Sequence, residues 1–79
     1  MSIAGHDLTD RQMVALHGIY KGVLRDRKVY GVNVGRQLDT LADRGIIARS
    51  GWSYMIPYGS PGADIIAASR DFVISQHLG

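Results

Sequence analysis

The chain contains no cysteine and no glutamate. Without cysteine, neither a disulfide framework nor a thiolate zinc site can form. The acidic residues are all aspartate, and nothing in the sequence gives that a functional meaning. No apolar run approaches the length of a membrane span, so no membrane contact is expected. The opening Met1-Ser2-Ile3-Ala4-Gly5-His6-Asp7 has neither a basic region nor an apolar core, so a signal peptide is not expected and a cytoplasmic location is. A phosphate loop, a dinucleotide fingerprint and a Ser-His-Asp order are also missing. His6, His17 and His77 lie far apart and lack acidic or cysteine companions at metal-ligand spacing. His17 reads as a residue bordering the core. Gly59-Ser60-Pro61-Gly62 reads as a loop and helix cap. These absences argue against an enzyme, a cofactor and a metal.

What remains is a chain of 79 residues, 46% of them hydrophobic. That suits a single domain over residues 1–79 with a small core. With no covalent staple, such a chain suits a helical core and one small sheet, supported by dimerisation. The net charge of +2 is modest, but its distribution is uneven. Residues 21–49 carry seven Lys or Arg against three Asp, while the flanking segments are each slightly acidic. A positive middle can attract phosphate or an acidic protein. The plain alternative is a solvated surface of mixed charge.

Thr9 and Gln12 form a T-x-x-Q capping box, which predicts a first helix from Thr9. Met13, Leu16, His17, Tyr20, Val23 and Leu24 follow at helical spacing as its core face, with the helix fading over residues 24–26. Gly18 and Gly22 weaken that helix or permit close packing. Arg25-Asp26-Arg27-Lys28 is a short charged break. Val29-Tyr30-Gly31-Val32 could be a strand pairing with a later hairpin. Asn33 suits the cap of a second helix over residues 34–44, with Val34, Leu38, Leu41 and Ala42 on its apolar stripe. Arg44 and Gly45 stop it, a cation at the negative end and a glycine at the left-handed cap. Residues 46–49 have strand character, Ser50-Gly51 is a two-residue turn, and residues 52–56 return as a second strand. Trp52 is expected to anchor that small sheet, Tyr54 to pack in the hairpin, and Tyr30 or Tyr58 to be exposed. Ser60 and Pro61 start a last helix running to about residue 76. Ile65, Ile66, Phe72 and Val73 form its inward face, which leaves Ile74 and Leu78 for a partner.

The motif L-x-x-L-x-x-R-G-I-I-x-R at Leu38, Leu41, Arg44, Gly45, Ile46, Ile47 and Arg49 resembles winged-helix bacterial regulators of the MarR type. Leu8-Thr9-Asp10-Arg11-Gln12 is similar to the start of their first DNA-binding helix, and Trp52-Ser53-Tyr54-Met55-Ile56 to the chain leaving their wing. The resemblance covers most of residues 8–68. It implies an α/β (α+β) winged-helix fold of three helices and a hairpin wing, in the order α-β-α-β-β-α. The chain departs from the pattern in one place. The family usually has another helix before the recognition helix, and here only residues 25–33 fill that interval. Small prophage-type winged proteins look similarly abbreviated, so a phage origin is open.

The resemblance places Arg36, Gln37 and Thr40 on the DNA-facing side of a recognition helix. Arg and Gln suit guanine and adenine edges, and Thr can touch a thymine methyl. Arg25, Arg27, Lys28, Arg44 and Arg49 are candidates for phosphate contacts. The expected function is therefore double-stranded DNA binding by a homodimeric transcriptional regulator. The alternative is a phage-type protein-interaction module or inhibitor that binds a host protein complex.

Overall fold

Thr9 begins α1 (Asp10–Lys21) with both halves of a capping box. The Gln12 N–H donates to Thr9 Oγ1 at 3.1 Å, and the Thr9 N–H donates to Gln12 Oε1 at 2.8 Å. Six consecutive residues, Met13 to Gly18, are then buried. One apolar stripe cannot bury six residues in a row, so neighbours must cover α1 on several sides. It touches α2 (Gly35–Asp43), α3 (Pro61–Ala68), strands β3 (Leu24–Arg25) and β4 (Lys28–Val29), and a 3-10 turn (Ile74–Gln76). The computed structural model, which describes residues 1–78, is a mixed α+β chain of three helices and small antiparallel sheets. No helix among the described residues is long and apolar enough to cross a membrane.

α1 ends earlier than its apolar spacing suggests. Gly22 adopts φ 71°, the left-handed cap, and the Gly22 and Val23 N–H groups return to the last carbonyls of the helix. Tyr20, expected in the core, is largely exposed. Gly18 has a different role. A Cβ there would lie 2.4 Å from a Val29 methyl, so its bare backbone lets β4 close onto α1.

The interval before α2 holds neither a helix nor a strand of the later hairpin. Strands β3, β4 and β5 (Val32–Asn33) form their own three-stranded meander. Its turns are Asp26-Arg27 and Tyr30-Gly31, all four residues at positive φ. That is the type I′ geometry that matches the twist of flanking strands. Ala4-Gly5 does the same between β1 (Ser2–Ile3) and β2 (His6–Asp7), a hairpin with no counterpart in the sequence reading. The charged break of the sequence reading is thus a turn, and Val29 a buried strand residue.

α2 buries Leu38 and Leu41 fully. Asn33 contributes to its start, accepting the Gly35 N–H at 2.8 Å, although Val34 is the boundary residue. At its end the Gly45 and Ile46 N–H groups bond to Ala42 and Leu41, the expected glycine stop. The chain continues into β6 (Ala48–Ser50) and β7 (Ser53–Met55). Ser50 pairs with Ser53, so the turn is Gly51-Trp52, one residue later than expected. Gly51 sits at φ 60° in the first loop position, where a type II′ hairpin needs glycine. Trp52 is therefore at the tip, fully exposed at 102%, and does not anchor the sheet.

α3 starts as predicted, with Ser60 Oγ accepting the Ala63 N–H and Pro61 in the first turn. It stops at Ala68, not near residue 76. Ser69 bends its side chain back to the Ile65 carbonyl, and the chain unwinds. The burial pattern then alternates: Phe72 in, Val73 out, Ile74 in. Ile74 and Val73 have thus exchanged the places that helical spacing gave them. Ile74 belongs to this chain's own core, and Leu78 packs half-buried against it, so neither is free for a partner.

His17 is the one charged-type side chain inside α1's buried run. Ser69 donates to the Ile65 carbonyl, so His17 Nε2 donates to Ser69 Oγ at 2.9 Å. Nδ1 is then a bare acceptor, buried without a partner. The ring stacks on Phe72, whose other face stacks on His77. Burial, and then the charge of Lys21, push the His17 imidazole below its ordinary 6.5. A depressed folded value means stability is complete above the unfolded value and lost as pH falls through the folded one. The melting temperature should therefore drop as pH falls below about 6.5, and His17→Gln should reduce that drop. An unchanged pH profile in the variant would refute the assignment.

Two packing tests follow from the same core. Leu41→Ala should cost about 2–5 kcal/mol in denaturant unfolding. Gly18→Ala gains about 1 kcal/mol of helix propensity but should still destabilise, because overpacking typically costs ~1–3 kcal/mol. Adding Val29→Ala should make the Gly18→Ala step stabilising. A stabilising Gly18→Ala on its own would show that β4 yields easily.

Candidate nucleic-acid interface

With Leu38 and Leu41 fixed inward, α2 must turn Arg36, Asp39, Thr40 and Asp43 toward its outer faces. Arg36 is exposed, and no hydrogen bond or ion pair engages it among the described residues. Gln37 and Thr40 are half-buried beside it. These three are the residues for which the winged-helix resemblance implies base-reading positions.

Asp39 organises the ground next to them. Its Oδ2 accepts from Arg27 Nη2 at 2.9 Å, and its Oδ1 accepts from the Tyr54 hydroxyl at 2.9 Å and Arg49 Nη2 at 3.3 Å. Arg27 also donates to the Gly35 carbonyl at 2.9 Å and to the Tyr54 hydroxyl at 2.7 Å. A Cβ on Gly35 would strike the Arg27 guanidinium, so glycine there gives the cation room over the start of α2. Arg49 extends to Asp43 at 3.8 Å. One carboxylate thus ties the β3–β4 turn, α2 and both strands of the β6–β7 hairpin together. The Tyr54 hydroxyl first, then Arg27 and Arg49, hold the Asp39 carboxyl below its ordinary 3.8.

The eight candidate binding residues therefore divide. Arg27 and Arg49 are engaged by Asp39. Arg25 donates to the Gly22 and Leu24 carbonyls, and Arg44 to the Asp7 carbonyl. Both keep an uncompensated charge, since a carbonyl is neutral. Lys28 and Arg36 are exposed, with no ion-pair partner among the described residues. Lys28 pairs across the meander with Asn33, just before α2, and Arg11 donates to the Asn33 carbonyl at 3.3 Å. Arg11, Lys28 and Arg36 thus gather around the start of α2. Sequence reasoning did not include Arg11, because the partner it meets lies 22 residues away.

Asp39 as a hub, and Tyr54 as its third contact, were also missed. Asp39 and Asp43 one turn apart amid an arginine excess are a signal for internal ion pairing. Nothing local in the sequence points to Tyr54. Among the aromatics, Trp52 and Tyr58 are fully exposed and Tyr20 and Tyr30 mostly so. The histidines do not converge on a site, although His77 Nδ1 lies 3.5 Å from Asp10, a pairing hidden by sequence distance.

Asp39→Ala should lower the melting temperature and speed amide exchange in β6 and β7 more than in α1. Tyr54→Phe, which keeps both guanidiniums on the carboxylate, should do less. Because the Asp39 carboxyl is depressed, its contribution is complete above about 3.8 and lost only as pH falls through its lower folded value. Hairpin exchange rates that ignore Asp39→Ala would show that the hairpin is held by other contacts.

No protein-family model, curated protein or solved structure matches this chain.

Proposed function

We propose that the protein binds duplex DNA as an abbreviated winged-helix module and acts as a transcriptional regulator, with α2 as the reading helix and β6–β7 as the wing. The observation that carries this reading is the outer face of α2. Among the described residues Arg36 has no partner there beside Gln37 and Thr40, while the inner face is buried through Leu38 and Leu41. A rigid helix with unengaged Arg, Gln and Thr suits direct contact to base edges. Lys28, Arg11, Arg25 and Arg44 flank it with charges that phosphate can use. Arg27 and Arg49 can reach phosphate only while also donating to Asp39.

Fluorescence anisotropy with labelled duplexes over a salt series tests the reading. Arg36→Ala or Gln37→Ala should narrow the affinity gap between preferred and random sequences. Each good bidentate contact accounts for about 1–3 kcal/mol of discrimination. Lys28→Ala should weaken all duplexes alike and reduce the salt slope by about 1. Absence of duplex binding at low salt, where phosphate attraction is strongest, would reject the proposal.

A second reading, protein docking, draws on a different face. Tyr20 and Tyr58 stand exposed over a shallow depression lined by Ile56, Ala63, Ile66 and Ala67, with Arg70 at its edge. Exposed aromatics grouped in this way mark interaction surfaces. It is also the apolar face left for a homodimer once Ile74 is committed to the core. Sedimentation at high micromolar concentration should then show a dimer that Tyr58→Asp dissociates. A monomer there would remove the homodimer.

A further inference from the structure

Trp52 is the only tryptophan in the chain, and it occupies the tip of a two-residue hairpin loop with its side chain wholly in solvent. An indole so placed contributes nothing to the core. It borders an open groove of about 590 Å³ between the β6–β7 hairpin and the end of α1. Ile19 and Leu24 give that groove an apolar part, and Tyr54, Arg25 and Arg27 a polar one. Among the described residues Arg25 bonds only to neutral carbonyls and has no ion-pair partner, so its charge is open to a ligand in the groove. Asp26 on the same rim keeps the groove weakly cationic, which suits a single phosphodiester better than a polyphosphate.

We propose that Trp52 and this groove form a stacking site for an unpaired nucleobase, with the adjoining phosphate held by Arg25. The proposal rests on the nucleic-acid reading above and specifies what the hairpin takes from the ligand. A planar indole matches the face of any base, so stacking tolerates sequence. A base inside a duplex has both faces covered, so the site selects a bulged, frayed or single-stranded position. The tie from Tyr54 and Arg49 to Asp39 fixes the hairpin against α2. Duplex held by α2 would then present its distorted position to Trp52 within the same complex.

The test uses the full chain with three DNA ligands: a paired duplex, the same duplex with a one-base bulge, and a single strand. Affinity is read by anisotropy of a labelled strand, and stacking by the emission of Trp52 with unlabelled DNA. Bulged duplex and single strand should quench Trp52 strongly, and paired duplex weakly. Trp52→Ala should lose about tenfold in affinity for the bulged duplex and less than twofold for the paired one. Trp52→Phe should recover most of the loss, and Arg25→Ala should weaken binding to the bulge while leaving quenching at saturation. Circular dichroism confirms that each variant is folded. DNA binding that leaves Trp52 emission unchanged, or a bulge preference that survives Trp52→Ala, overturns the stacking site and spares the duplex-binding reading. Failure of all three ligands to bind overturns both.

Discussion

Burial of α1 on nearly all sides is the constraint on which the fold depends. A chain this short offers no second core, so every other element must find its apolar contacts on this helix or on residues that touch it. α2 supplies Leu38 and Leu41, α3 supplies Ile65 and Ile66, and the chain after α3 unwinds to bring Phe72 and Ile74 to the same place. Gly18 belongs to this constraint, because its bare backbone lets Val29 pack directly onto α1. His17 shows its cost. A polar ring at a fully enclosed position finds a partner for one nitrogen and none for the other.

The strands are too short to hold themselves in place, since an isolated hairpin is marginal in water. The meander and the β6–β7 hairpin are instead pinned to helices. The meander is pinned through Val29, packed under α1, and through Arg27 over the start of α2. The β6–β7 hairpin is pinned through Tyr54 and Arg49 on Asp39. Arg27 does this from φ 63°, a conformation that side chains other than glycine rarely take. Its guanidinium makes three hydrogen bonds in return, to the Gly35 carbonyl, the Tyr54 hydroxyl and the Asp39 carboxylate, and lies 5.9 Å from the centre of the Tyr54 ring. Exposed ion pairs in isolation contribute little, but a shared carboxylate fixes several segments in one geometry.

The caps were legible in the sequence because each depends on a few adjacent residues. Thr9 with Gln12, Gly45 after Arg44, and Ser60 before Pro61 all acted as read. The misreadings share one physical origin, which is a long-range demand overriding a local pattern. Helical spacing put Tyr20 inward and carried the last helix to residue 76. Tyr20 lies in the last turn of α1, where no other element covers it, and Phe72 leaves helical register and stacks on His17. The turns at Ala4-Gly5 and Tyr30-Gly31 held a readable glycine signal, whereas Asp26-Arg27 did not, because its positive φ is supported by contacts made 8 to 27 residues away. The candidate interface was legible as a set of residue types and illegible as a charge distribution for the same reason.

That distribution decides how the α2 surface would meet an anion. The positive middle of the chain is not a uniform field, since Asp39 and Asp43 draw Arg27 and Arg49 inward and neutralise much of their effect. Among the described residues, cations without an ion-pair partner lie at the start of α2, on Arg36, Lys28 and Arg11, at its end, on Arg44, and at the hairpin groove, on Arg25. A phosphate backbone would be attracted at separated points around a near-neutral hydrogen-bonded strip. Long-range attraction to such a surface is modest, and what holds a ligand must be contact made at short range. On this surface the short-range groups are the Arg36, Gln37 and Thr40 side chains on one edge and the Trp52 indole on the other. The internal ion pairs therefore do more than brace the hairpin: on the DNA-binding proposal they would shift recognition from charge to shape and hydrogen bonding.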